Sequence, residues 1–195
     1  MESNITIPRI ILASASPRRQ TLFKYITATF EIIPAGIDET ISEQIPVTEQ
    51  PAWLAKEKAE FLSETFPDAL IVGCDTSVLI GEEILGKPKD FADAVHMLQL
   101  LSGNTHTVIT GCCIRYQGRS HVFSEKTDVV FYPLTDVEIV SYIQTGEPFD
   151  KAGGYGIQSG GCCFVREIHG CYHNVVGLPV ARLKREIDTI LKNSI

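Results

Sequence analysis

Apolar residues in this chain come in short, uncharged runs. The segments Arg9-Ile-Ile-Leu-Ala13 and Ala69-Leu-Ile-Val-Gly-Cys74 carry the clearest of them. No run approaches the roughly 18 residues that span a bilayer, so each of these two reads as a buried strand. Helix signals stand between the strands. Ser16 followed by Pro17 reads as an N-cap and a first-turn proline, opening a short helix through Leu22 and Phe23. Phe30–Pro34 reads as a second strand, 36–50 as an acidic turn region, and Pro51–Phe66 as a helix. Ser77–Ile80 and Glu83–Leu85 suggest a hairpin around Gly81-Glu82. Asp90 caps a helix that stops at Gly103. Thr105–Tyr116 and Ser120–Tyr132 read as long strands joined at Gln117-Gly118. Thr135 and Glu138 form a capping box. Gly161–Ile168 and Cys171–Val176 read as a hairpin, and Pro179 starts a final helix. Strands and helices alternate early and hairpins dominate later. The expectation is an α/β fold, an extended, twisted mixed sheet flanked by helices, with two lobes around a cleft.

The 195 residues suit a single domain, 1–195, with a core that needs no disulfides. The six cysteines include the adjacent pairs Cys112-Cys113 and Cys162-Cys163 and no C-x-x-C. They are expected to be buried free thiols rather than a zinc site. Residues 1–8 carry no charged segment followed by an apolar one, so no leader is expected and the location is read as cytoplasmic. A net charge of −7 argues against binding nucleic acid or an anionic membrane. An anionic ligand would need its positive charges gathered locally.

Three loops hold the residues able to do chemistry. Ser14-Ala-Ser-Pro-Arg-Arg19 sets a helix N-terminus, with free N–H groups, beside two guanidinium forks. Cations are mildly unfavourable at a helix start unless an anion sits there too; the plainer account is a capped helix with solvated arginines. Asp75-Thr76 puts a carboxylate at the end of a buried strand, where it is costly unless paired or holding a cation. It suits a base or a Mg²⁺ ligand; an Asx turn or a salt bridge is the plainer account. Asp150-Lys-Ala-Gly-Gly-Tyr-Gly-Ile-Gln158 combines glycines that admit a ligand to the backbone with an amide able to read a base edge; its plainer account is a flexible turn. Glu39, Lys58 and Lys87 are supporting candidates. The sequence has no P-loop pattern and no G-x-S-x-G elbow. A triphosphate carries about four negative charges near neutral pH, which Arg18, Arg19, Lys58, Lys87 and Lys151 could offset while Glu39 and Asp75 serve a cation.

These loops, in this order, resemble the Maf family of nucleotide pyrophosphatases. The matching stretches are Leu12-Ala-Ser-Ala-Ser-Pro-Arg-Arg-Gln-x-Leu22, Gly73-Cys-Asp-Thr76, Gly86-Lys-Pro88, Met97-Leu-x-x-Leu-Ser-Gly-x-Thr-His106, the Asp150–Gln158 loop, and Asn174-Val-Val-Gly-Leu-Pro179. Cys74 stands where the family commonly has alanine. The resemblance implies a mixed α/β fold with a deep cleft, a homodimer, and hydrolysis of a nucleoside triphosphate to the monophosphate and pyrophosphate with a divalent cation, Mg²⁺ or Mn²⁺. It implies that Asp75 is the catalytic proton acceptor, and that Arg18, Thr76 and Gln158 select the substrate. The Asp-Thr and Asp-Lys-Ala-Gly-x-Tyr-Gly-Ile-Gln pattern is that of the branch acting on dTTP and UTP, including modified pyrimidine nucleotides, with a role in nucleotide pool sanitation and cell-division arrest. Within that frame Ser14, Arg19, Lys58, Lys87 and Lys151 are expected to stabilise phosphate charge, and Glu39 and Asp75 to hold the metal. Two other readings stay open at this point: hydrolysis of other nucleotides such as 7-methyl-GTP, and a non-enzymatic regulator of cell division.

Overall fold

The computed structural model describes residues 8–193. Residues 1–7, on which the reading of a missing leader rests, lie outside the described residues. Strand β1 (Ile10–Ala13) is buried at every position. Helix α1 (Pro17–Phe23) follows; the Ser16 side chain accepts from the Arg19 N–H at 3.4 Å, with proline in the first turn, as expected. Strand β2 is only Glu31–Ile32, shorter than the expected Phe30–Pro34. Helix α2 (Gln50–Thr65) precedes β3 (Leu70–Ile80) and β4 (Glu83–Leu85). Helix α3 (Phe91–Leu101) is capped by Asp90, whose carboxylate accepts from the Asp93 N–H at 2.9 Å. Strands β5 (Thr105–Tyr116) and β6 (Arg119–Phe131) are joined by Gln117-Gly118. Both turn residues have positive φ, 47° and 76°, as a two-residue hairpin with primed geometry demands. Helix α4 (Asp136–Gln144) opens on the expected capping box between Thr135 and Glu138. Three short 3₁₀ turns then lead to β7 (Val165–His169), α5 (Tyr172–Val176) and α6 (Val180–Lys192).

The seven strands form one mixed sheet in the order β2-β1-β3-β5-β6-β7, with β4 on β3. β1 runs parallel to β2 and β3; β4 is antiparallel to β3, and β7 to β6. The α/β expectation therefore holds. Among the described residues no helix is long and apolar enough to cross a membrane.

The chain divides into two compact units. The first holds residues up to Asp75, Gly111–Ser124, and the chain from Gly177 on; the second holds Thr76–Thr110 and Glu125–Val176. In the first unit the core lies where α2 meets β1 and β3, with Ile11, Ala13, Ala55, Ala59, Leu62 and Ile71 in one cluster. The close fit depends on Gly73: a Cβ there would stand 2.0 Å from the Ala55 carbonyl oxygen, so only glycine lets the helix settle on the strand. In the second unit α3 buries Ala94, Met97, Leu98 and Leu101, and α4 buries Ile139, Tyr142 and Ile143.

Several expectations need correction. Asp75 does not end its strand, since β3 runs on to Ile80; backbone pairing continues where the apolar pattern stops. The second arm of the expected C-terminal hairpin is helix α5. The Asn174 amide, buried there, donates to the Val108 carbonyl and to Thr127 Oγ1, each at 3.0 Å, and Thr127 Oγ1 in turn accepts from the Cys171 N–H at 3.0 Å. Those long-range bonds fix a turn that local β-propensity argued against. Cys162 and Cys163 are exposed on the 3₁₀ turn Gly160–Phe164, not buried in a strand, and Cys171 is half-buried. Cys74, Cys112 and Cys113 are buried free thiols as expected; burial pushes the Cys113 thiol up to about 12, so it is inert.

Candidate active site

Helix α2 turns Leu54, Ala55, Lys58, Ala59 and Leu62 inward. Lys58 thus lies on the core stripe of its helix, not on the polar edge. Its stem is buried with that stripe and its ammonium emerges between two carboxylates. Lys58 Nζ donates to Asp75 Oδ1 at 2.8 Å and stands 2.8 Å from Glu39 Oε1. The side chains of Lys58 and Asp75 are 9% and 15% exposed, and that of Glu39 is 58% exposed. Asp75 is therefore held in a mostly desolvated pair, where Coulomb attraction is strong, while Glu39 closes the group from the solvent side.

Beside this pair, β1 delivers Ser14, which is buried. Its Oγ accepts from the Ser16 N–H at 3.3 Å and, weakly, from Arg19 Nη1 at 3.5 Å. Arg19 is anchored more firmly by two carbonyls: Nε donates to Gly177 at 2.9 Å and Nη1 to Cys74 at 3.0 Å. Backbone thus fixes the Arg19 charge one residue from Asp75 along β3. What Arg19 offers an anion is that fixed charge more than a fork of unspent donors. Arg18, next to it on α1, is half-buried. So the first unit brings together Ser14, Arg19, Glu39, Lys58 and Asp75.

The other expected site residues belong to the second unit. Thr76 Oγ1 and Thr110 Oγ1 are 2.9 Å apart; Thr110 donates to the Asn174 carbonyl at 3.1 Å. Gly153 has a φ of 71° and would place a Cβ within about 3.0–3.1 Å of Val78, two residues along β3 from Thr76. Its N–H donates to the Gly86 carbonyl at 3.0 Å. The glycine-rich loop is thereby docked on β3 and on the turn that carries Lys87, which is exposed. Lys151 is engaged within its own loop, donating to the Glu147 carbonyl at 2.7 Å and to the Asp150 carboxylate. Gln158 is exposed.

Thr110, Asn174, Tyr142 and Glu147 escaped the sequence reading. Thr110 sits in an apolar strand and Asn174 in what reads as a strand; nothing local announces that they are partners. Glu147 precedes the glycine-rich loop by three positions, and nothing local announces its bonds to Ser159 and Gly160, twelve and thirteen positions on.

Residues 9–190 match the family described as Maf-like protein. The chain belongs to the Maf family. It is 50% identical over 181 residues to a dTTP/UTP pyrophosphatase of Carboxydothermus hydrogenoformans, covering 92% of this chain and 97% of that one. It is 45% identical over 181 residues to a dTTP/UTP pyrophosphatase of Bacillus pumilus, covering 93% and 96%.

The chemistry of Glu39 and Asp75 can be weighed for a divalent cation. Both already converge on one positive charge, the Lys58 ammonium, and each retains a second oxygen. Among the described residues there is no cluster of three or more His, Cys, Asp or Glu side chains suited to a metal. Two hard carboxylate oxygens fit a small divalent ion that takes its remaining ligands from water and substrate phosphates, as Mg²⁺ usually does.

Proposed function

We propose that this protein is a nucleoside triphosphate pyrophosphatase that hydrolyses dTTP and UTP to the monophosphate and pyrophosphate. The observation that carries the reading is the desolvated Lys58–Asp75 pair capped by Glu39, in a Maf chain about half identical to enzymes named for that activity. In the proposed step, water attacks the α-phosphorus and the bond from that phosphorus to the bridging oxygen breaks, releasing pyrophosphate. Asp75 accepts the proton of the attacking water. Lys58 holds Asp75 in position, and the fixed charge of Arg19, with Ser14, Lys87 and Lys151, offsets charge on the phosphates. Thr76, Gln158 and Arg18 select the pyrimidine. Glu39 and Asp75 would hold Mg²⁺ or Mn²⁺, whose chemistry is to neutralise phosphate charge. A cytoplasmic location and a homodimer belong to the same proposal; light scattering reads the latter.

The test is a panel of normal and modified nucleotides with Mg²⁺ or Mn²⁺, scored for pyrophosphate and monophosphate, with Asp75→Asn alongside. The expected result is preference for dTTP and UTP, and a loss of at least about a hundredfold in turnover for the variant with substrate binding retained. Orthophosphate as product, preference for GTP derivatives, or near-normal turnover in Asp75→Asn would each refute the proposal.

A further inference from the structure

Gln158 is exposed, so the backbone of its loop, not packing of its own side chain, must decide where its amide points. That backbone is gathered by one carboxylate. Glu147 Oε1 accepts from the Tyr142 hydroxyl at 2.7 Å and from the Ser159 hydroxyl. Glu147 Oε2 accepts from the Gly160 N–H at 3.0 Å. The Tyr142 hydroxyl in turn accepts from the Gly156 N–H at 3.0 Å. The loop is therefore pinned at residues 156, 159 and 160, on both sides of Gln158. The space is filled closely: a Cβ at position 156 would meet Ser159 Oγ at 2.6 Å, Lys151 Cε at 2.7 Å and Glu147 Oε1 at 2.8 Å. Tyr142 is itself fixed, 6% exposed and edge-on to Phe164 with ring centroids 4.9 Å apart.

We infer that Glu147, acting with Tyr142, is a positioning residue for substrate selection: its carboxylate clamps the Gly156–Gly160 segment so that Gln158 presents its amide to the nucleobase. The inference rests on the proposed base-reading role of Gln158 and adds the device that holds it. Desolvation works to raise the Glu147 carboxyl, but the hydrogen bonds from Ser159, Tyr142 and Gly160 and the charge of Lys151 outweigh it and leave the group below the usual carboxylate range. An ionised carboxylate accepts from all three donors at once, and charge-assisted bonds are the stronger kind. A protein that needed only a flexible turn here would have no use for an acceptor shared among three donors.

The experiment compares Glu147→Ala, Tyr142→Phe and Gln158→Ala in the full chain. Tyr142→Phe keeps the ring against Phe164 and deletes only the hydroxyl, so it remains informative should Glu147→Ala fail to fold. Two readouts are taken: kcat and KM across dTTP, UTP and purine triphosphates, and hydrogen exchange of the 155–161 amides. Misplacing a contact by about 1 Å costs up to roughly a hundredfold. The expected result for Glu147→Ala and Tyr142→Phe is a fall of about ten- to a hundredfold in kcat/KM for dTTP and UTP, carried by KM, with a narrowed preference over purines. Amide exchange at Gly156 and Gly160 should rise at least about tenfold, and Gln158→Ala added to Glu147→Ala should have little further effect. Unchanged exchange, or an equal loss of kcat for every nucleotide, overturns the inference. Gln158→Ala with wild-type selectivity overturns the base-reading role instead; the exchange data then still decide whether Glu147 clamps the loop.

Discussion

Acidification should destabilise this protein measurably through one buried side chain, His106. The imidazole is 1% exposed on β5, edge-on to Phe131 and Tyr155 at centroid distances of 4.9 and 5.3 Å. One ring nitrogen, Nε2, lies 2.8 Å from the Tyr155 hydroxyl. The other, Nδ1, is buried without a hydrogen-bond partner. A proton added to this ring would place a charge among aromatic faces with nothing to receive its second N–H. Burial accordingly lowers the pKa from 6.5 to about 4, opposed only weakly by the Asp128 charge. Above pH 6.5 the ring is neutral in the folded and unfolded chains alike, and the linkage contributes nothing. As pH falls below 6.5 the unfolded chain takes up the proton and the folded one does not, so stability declines until pH reaches about 4. At roughly 1.4 kcal/mol per pH unit the decline is about 2 kcal/mol by pH 5 and about 3 kcal/mol in full. Urea midpoints measured from pH 7.5 to 4.5 test this against His106→Gln, which keeps a partner for Tyr155 and does not titrate. The variant starts less stable, through lost ring contacts, and the gap should close by about 2 kcal/mol between pH 7 and 5. Exposed carboxylates held below their usual range, Glu31 by Arg9, Asp38 by Thr40 and Glu138 by Thr135, lose stabilising ionisation as pH falls, but equally in both proteins. A gap that stays constant over that window would refute the argument from burial.

Three further outcomes follow from distances already given. Lys58→Met leaves Asp75 and Glu39 facing each other without their shared cation, so turnover should fall by about a hundredfold or more in a steady-state assay of pyrophosphate release. Gly73→Ala drives a Cβ into the Ala55 carbonyl of α2; backbone cannot swing aside, so differential scanning calorimetry should register a loss near the top of the usual overpacking range, about 3 kcal/mol, whereas Gly36→Ala, with open space around it, should be nearly neutral. Thr110→Val removes the hydroxyl between Thr76 and the Asn174 carbonyl, and should cost about 1–2 kcal/mol in chemical denaturation together with a raised KM for dTTP.

What could be read in the sequence was what neighbours in the chain decide. The Ser16-Pro17 start, the Asp90 cap, the Thr135–Glu138 box and the Gln117-Gly118 turn depend on residues within a few positions, and each is present. What escaped depends on residues far apart. Cys171–Val176 has the composition of a strand, yet Asn174 reaches Val108 and Thr127 and the segment becomes a helix. Asp75-Thr76-Ser77 interrupts an apolar pattern but not a ladder, because backbone pairing does not depend on which side chains are polar. Cys162 and Cys163 look apolar by type; the Glu147 carboxylate on Gly160 sets the turn that exposes them. Lys58 shows the limit most clearly. The sequence offered it only as a supporting candidate, and its place on the buried stripe of α2, between two carboxylates, depends on residues far from it in the chain.

The charges around Lys58 also bear on how a chain of net charge −7 would take a triphosphate. In the first unit the local sum is close to balance: Lys58 and Arg19 are positive, Glu39 and Asp75 negative, and Arg18 adds one positive charge beside them. A substrate with about four negative charges would therefore meet a nearly neutral group of fixed charges rather than a basic surface. Two of those cations are committed to the protein, Lys58 to two carboxylates and Arg19 to two carbonyls. Fixed charges of this kind lose no reorganisation energy when phosphate charge develops, but they leave a deficit that the proposed divalent cation would fill, with Glu39 and Asp75 as its proposed ligands. An acidic protein can thus bind a polyanion without a basic field, provided that the substrate arrives with its own counter-ion and the protein supplies only the few charges that must not move.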